Sequence, residues 1–228
     1  MAYPSTFVTI QNEVVNKLRL DSTADLAKVK DWINGAYYEA CVETEALQNF
    51  ATMTLTANTS TYTLDSQIAR IKQMRVTPVG STQSLPLEPV SVEEMLVLTA
   101  GTTSSQPNTG GPNRYTVFGV DKIQFYPTPT SADTVTMYYV KYPTALSADA
   151  DTPSIPEPYA TELLVNGACY KGAVFADDPK AQLFQQAFEV WKDRLRGHLR
   201  RKTGSFTRQF RLTGTTGVVP HDPSVDLG

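Results

Sequence analysis

Cysteine and histidine are almost missing from this chain, with two of each in 228 residues. Cys41 and Cys169 stand far apart in helical contexts, so their spacing offers neither a disulfide framework nor a metal-ligand pattern. Buried, reduced thiols are expected at both. His198 lies within a basic helix and His221 in a Pro- and Gly-containing tail, and neither has a partner at metal-binding spacing. No serine or cysteine occupies a nucleophile-elbow motif, and Gly110-Gly111 lacks the spacing of a phosphate-binding fingerprint. The adjacent carboxylates Glu93-Glu94 and Asp177-Asp178 read as capped helix turns, because neighbouring helical positions point in different directions. The expectation is a protein with no catalytic set, no metal and no cofactor. An enzyme built from carboxylates that only folding brings together stays open as the remoter alternative.

Long apolar runs are absent too. Nothing approaches the roughly 18 uninterrupted apolar residues of a membrane span, and Met1-Ala2-Tyr3-Pro4-Ser5 lacks the charged and apolar regions of a signal peptide. No membrane partner is expected, and synthesis and assembly in a cytoplasm are. With 41% hydrophobic residues the chain can bury one good core or two small ones.

What is present is an uneven charge. Residues 180–211 hold nine Lys or Arg against Glu189 and Asp193, whereas the whole chain carries a net charge of −3. Opposite fields at two ends suit a protein that meets different partners at each.

The hydrophobic period predicts an α+β protein: a helical bundle made of an N-terminal helix pair and a C-terminal helical hairpin, with an inserted small antiparallel β domain and an extended C-terminal arm. Residues 1–50 give the helix pair. Phe7, Ile10, Val14 and Leu18 form one stripe, and Leu26, Val29, Ile33, Ala36, Ala40 and Leu47 a second. Thr23 is the expected N-cap of the second helix, and the short connection predicts an antiparallel pair. Residues 51–143 change to period two. Thr52 to Thr56 and the stretch through Tyr62 and Leu64 read as a hairpin about Asn58-Thr59-Ser60. A strand follows over 71–79, then turns and an edge-like segment holding Pro86 and Pro89. Ser91 and Glu94 spell a capping box for a short helix, and 101–113 reads as a mobile exposed loop. Residues 115–119, 122–126 and 134–142 read as three strands of one small antiparallel sheet.

Residues 144–202 hold a proline-stiffened linker and the hairpin. One helix carries Ala160, Leu164, Gly167, Ala168, Gly172 and Phe175 on one face, and its glycines permit close approach of another helix. Asp178-Pro179 opens the other, whose stripe is Phe184, Ala187, Phe188, Trp191, Leu195 and Leu199. Its basic residues Arg194, Arg196, Arg200, Arg201 and Lys202 suit packaged DNA or an acidic partner equally well. Residues 203–228 form the arm. Phe206, Arg208, Phe210 and Leu212 alternate with Thr207, Gln209, Arg211 and Thr213, the period of a strand that pairs with another subunit or protein.

The order of these parts resembles the head-to-tail connector (adaptor) proteins of tailed bacteriophages. The likeness is carried by Val29-Lys30-Asp31-Trp32-Ile33-Asn34-Gly35-Ala36-Tyr37, by Asn113-Arg114-Tyr115-Thr116-Val117-Phe118-Gly119 continued through Ile123 to Pro129 and Tyr138 to Tyr142, and by Glu162 to Tyr170 with Phe175-Ala176-Asp177-Asp178-Pro179. It covers roughly residues 5–202. The resemblance implies a structural virion protein of the neck: a ring, a dodecamer matching the portal protein, docked below it, extending the DNA channel and offering a surface to a tail or nozzle protein. Such adaptors commonly engage the portal through C-terminal arms. Residues 203–228 are the least family-defined part, so docking of Phe206, Arg208, Phe210, Arg211 and Leu212 on the portal rests on the strand pattern and charge, and Arg194, Arg196, Arg200, Arg201 and Lys202 are expected to face the channel or the portal. A sequence-independent nucleic-acid-binding module and a cell-wall-degrading tail enzyme are the competing readings.

Overall fold

Two helices of this chain end without glycine. The computed structural model describes residues 5–20, 25–100 and 111–202. In it α1 (Phe7–Leu18) and α2 (Leu26–Thr44) each close on a left-handed residue, Arg19 at φ 55° and Glu45 at φ 54°. The Leu20 and Ala46 N–H groups then donate back to Val15 and Cys41 O, satisfying carbonyls that a helix end leaves open. Leu47 therefore falls beyond α2, contrary to the stripe read from sequence, and packs on the helical core from the connection. Asp25 occupies the N-cap of α2 without a side-chain cap bond; Thr23, expected there, lies outside the described residues.

α4 (Tyr159–Phe175) and α5 (Ala181–Lys202) complete the helical layer. The glycines of α4 do what their size allows. A Cβ on Gly167 would sit 2.7 Å from Ala36 Cβ and 2.8 Å from Phe188 Cε2, and one on Gly172 would sit 2.6 Å from Leu18 Cδ1. Ser5 hydrogen-bonds Thr161 and Leu18 covers Gly172, so α1 runs along α4 in the same direction and opposite to α2. Asp178 accepts from the Lys180 N–H at 2.8 Å, and α5 starts at Ala181, two positions later than the Asp-Pro signal suggested. Leu164, Phe188 and Leu195 are buried in the core, and Phe184 and Trp191 pack against it. Phe175 is not core: it is 66% exposed, because the chain turns away just beyond it, and it touches Trp32 and the Lys28 ammonium.

A seven-stranded sheet stands between α2 and α4: β1 (Gln48–Thr54), β2 (Thr61–Thr63), β3 (Ile68–Thr77), β4 (Leu85–Pro89), β5 (Arg114–Phe118), β6 (Lys122–Tyr126) and β7 (Thr134–Lys141), with α3 (Val92–Ala100) after β4. Their order is β1-β7-β3-β4-β5-β6-β2. The sheet curls, so Met53 of β1 and Tyr62 of β2 pack on one cluster although they lie at opposite edges. The expected hairpin is therefore wrong in its pairing. A turn does form, with the Thr59 N–H donating to Thr56 O, but β1 pairs with β7 and β2 with β6. β5 and β6 pair antiparallel and share a sheet with β7, as expected, but β7 lies between β1 and β3, and β4 with β5 is a parallel pair, so the sheet is larger and mixed.

β4 is interior, not an edge, despite its two prolines. The Glu88 N–H donates to Asn113 O, so even-numbered residues of β4 face β5 and odd-numbered ones face β3. Pro86 then faces β5 before that ladder begins at Glu88, and Pro89 faces β3 beyond the last pair at Leu87. Neither missing N–H is needed. Ser91 caps α3 through the Glu94 N–H, as the sequence indicated, while Glu94 reaches Arg114 at 3.7 Å.

Both crossings between sheet and helices lie at the end of α2. The chain enters through Glu45 to Leu47 and returns at Tyr142, whose ring stacks on Tyr38 at 4.7 Å. The linker then runs back along α2: Asn34 exchanges two hydrogen bonds with the Leu146 backbone, and Tyr37 Oη accepts from Ser154 N–H. Leu146 and Ile155 are buried in the helical core.

Candidate functional site

The C-terminal half of α5 gathers the basic side chains. Arg200, Arg201 and Lys202 occupy its last turn, where positive charge is favoured by the open carbonyls of the helix end. Arg194, Arg200, Arg201 and Lys202 are exposed. Arg196 is half-buried and already paired, 2.7 Å from Asp193 and 3.6 Å from Glu43. Its charge is thus partly spent within the chain.

Arg194 lies over the Trp191 ring at 4.5 Å, and Arg201 Nε donates to Gly197 O at 3.2 Å. These residues, with Pro158 and Tyr159, line an open depression of about 590 Å³. Tyr159 meets Trp191 edge-on at 6.4 Å and touches His198 at 5.1 Å. Aromatic walls with arginines at the rim suit an acidic or phosphate-bearing partner, since the rings supply apolar contact and the guanidiniums supply charge. Phe206, Arg208, Phe210, Arg211 and Leu212, expected to dock on the portal, lie outside the described residues.

Sequence reasoning missed the centre of this helix. Lys192 is buried, with its Nζ at 2.5 Å from Glu189, 2.8 Å from Glu43 and 3.5 Å from Glu39, and 4.6 Å from the Phe188 ring centroid. Burial pulls its pKa down, but the hydrogen bonds that the ammonium donates to Glu189 and Glu43 outweigh that and the net shift is upward. Lys171 extends the network through Glu39 at 2.9 Å. A signal was available: Lys192 stands between Phe188 and Leu195 on the buried stripe.

The thiols are remote from this surface. Cys41 and Cys169 are free and buried, and burial pushes each pKa up to about 12. Among the described residues no group of His, Cys, Asp and Glu comes together that could hold a metal ion, and no helix is long and apolar enough to cross a membrane.

A family model described as SU10 adaptor protein matches residues 5–213. The chain belongs to the SU10 adaptor protein family. This bears out the resemblance to phage head–tail adaptors read from the sequence, and extends it past Lys202 into the arm. The protein is a phage structural adaptor, a family character that implies no enzyme. No curated protein matches the chain. For an adaptor of this family the exposed basic end of α5 is the candidate contact surface.

Proposed function

We propose that this adaptor forms a ring in the virion neck, docks below the portal protein, extends the DNA channel and offers the attachment surface for a tail or nozzle protein. The observation that carries the reading is the exposed basic end of α5, with its Tyr159–Trp191 depression, on a chain of an adaptor family. Arg194, Arg200, Arg201 and Lys202 meet acidic side chains of the portal, with Arg196 held in reserve by Glu43 and Asp193, and the arm beyond Lys202 docks on another chain. The copy number matches the portal, a dodecamer, and assembly proceeds in the host cytoplasm. Ring contacts are heterologous, joining two different surfaces of one chain.

Imaging of necks formed from the purified protein and portal-bearing heads tests this. Several equivalent copies around the channel are expected; one off-axis copy overturns the reading. The same basic side chains also fit passing DNA through sequence-independent contacts. Binding of the free protein to duplex DNA that falls steeply with salt, together with failure to join heads, would favour a nucleic-acid module instead.

A further inference from the structure

Among the described residues, nothing pairs with the outer edge of β1. The Leu47 carbonyl accepts from the Lys141 N–H at 2.7 Å, and the Leu55 N–H donates to Asp133 O at 2.8 Å. Odd-numbered residues of this stretch therefore face β7, and Gln48, Phe50, Thr52 and Thr54 turn their N–H and C=O groups to the free edge. Of the four N–H groups, that of Phe50 is taken, by the adjacent Asn49 side chain at 2.9 Å.

Edges are normally blunted by charge, proline, bulges or shortness. Gln48-Asn49-Phe50-Ala51-Thr52-Met53-Thr54 has no charged residue and no proline, and it pairs with β7 in unbroken register over its whole length. The opposite edge, β2, is three residues long. On the solvent face Phe50, 63% exposed, stands across from Tyr138, 44% exposed, with ring centroids 6.3 Å apart.

We propose that residues 206–212 of a neighbouring copy add to this edge as an eighth strand. This rests on the ring reading above. The segment Phe206-Thr207-Arg208-Gln209-Phe210-Arg211-Leu212 matches β1 in length and alternates in the strand period, so Phe206 and Phe210 extend the Phe50–Tyr138 aromatic row. Its two arginines meet no like charge on β1. The family match runs through this segment and stops at 213, so the segment belongs to the part shared with the family.

The origin of the arm lies near β1 of its own chain, so closure within one chain is the rival that the test must separate. Lys192 and Arg196 of α5 reach Glu39 and Glu43 of α2, so α5 runs along α2 and its last turns pass the end of α2, where β1 begins. Thr203-Gly204-Ser205 then give about 10 Å of extended reach. An arm and an edge are two different surfaces, as a ring contact requires.

The test is a Thr52→Cys, Arg208→Cys double variant of the full chain, assembled on portal-bearing heads, imaged, and oxidised at pH 8. At that pH Cys41 and Cys169, with pKa values of about 12, stay as buried thiols. A ladder of covalent multimers on a non-reducing gel, missing from either single variant, is expected. Rings with a disulfide closed inside one chain, or rings with no disulfide, overturn the proposal and leave the ring reading standing, the second sending the arm to the portal. Absence of rings overturns the ring reading and this with it. A Thr52→Pro variant guards against a folding defect, since its lost N–H faces away from β7. It should melt with the unmodified protein and fail to form rings; normal rings from it overturn the proposal.

Discussion

Lys192 Nζ lies 2.8 Å from Glu43 Oε2 across the α2–α5 contact, the ammonium buried and the carboxylate half exposed. The asymmetry decides what each substitution does. The lysine has lost its water, whereas the glutamates can regain theirs by rotating outward.

Lys192→Met should therefore be nearly neutral to unfolding by urea, because it keeps volume and removes a charge that burial penalises. Lys192→Ala should cost about 2–4 kcal/mol through the cavity it leaves. Glu43→Gln with Glu189→Gln should also destabilise, since the ammonium then keeps only the longer contact with Glu39. An alanine variant as stable as the methionine one would contradict the packing account.

The upward pKa shift of Lys192 carries a sign. A group raised on folding contributes stability that is whole below its unfolded value, about 10.5, and is lost as pH climbs through the folded value. Urea midpoints of the unmodified protein should accordingly fall below those of Lys192→Met above that pH. Glu45 behaves oppositely. The Lys72 ammonium at 2.6 Å and Arg70 at 2.8 Å hold its pKa below the ordinary carboxylate value, against a smaller opposing push from burial. Its contribution is present above the unfolded carboxylate pKa and lost on acidification through the folded one. The stability difference between the unmodified protein and Glu45→Gln, read from urea unfolding, should vanish in acid, and at neutral pH it should stay within about 1 kcal/mol because the partners are exposed.

Glycine substitutions should divide by environment. Gly167→Ala and Gly172→Ala gain about 1 kcal/mol of helix propensity, yet each new methyl would meet atoms at 2.6–2.8 Å on neighbouring helices. Overpacking costs about 1–3 kcal/mol, so both should lower the melting temperature. Gly197→Ala faces nothing within 4 Å and should raise it. Three melting curves settle the matter.

Thiol chemistry gives a further check. A neutral-pH thiol reagent should modify neither Cys41 nor Cys169 in the folded protein and both in urea, because reaction requires a thiolate that burial suppresses. Rapid labelling of either in native buffer would contradict their burial.

Helix existence and helix faces were legible in the sequence, since stripes such as Phe7-Ile10-Val14 report burial directly. Helix ends were less so: Arg19 and Glu45 take the left-handed conformation that glycine usually advertises, so Leu47 read as helix. Strand existence was also legible, but partners were not. Alternation fixes which face of β1 is buried and says nothing of whether Thr134 or Thr61 lies beside it, and the turn at Asn58 formed without joining the strands it separates. At the candidate site the exposed arginines were visible as charge, while the capture of Arg196 by Glu43 and the hollow beside Tyr159 depend on helices brought together from distant positions.

The stack of Tyr142 on Tyr38 puts the departure and return of the sheet side by side at one end of α2. Insertions or deletions in the strands and their loops leave the separation of those two points untouched. The helical layer can keep its dimensions while the sheet is enlarged, trimmed or exchanged. A chain built this way can keep one layer constant while varying what the other presents.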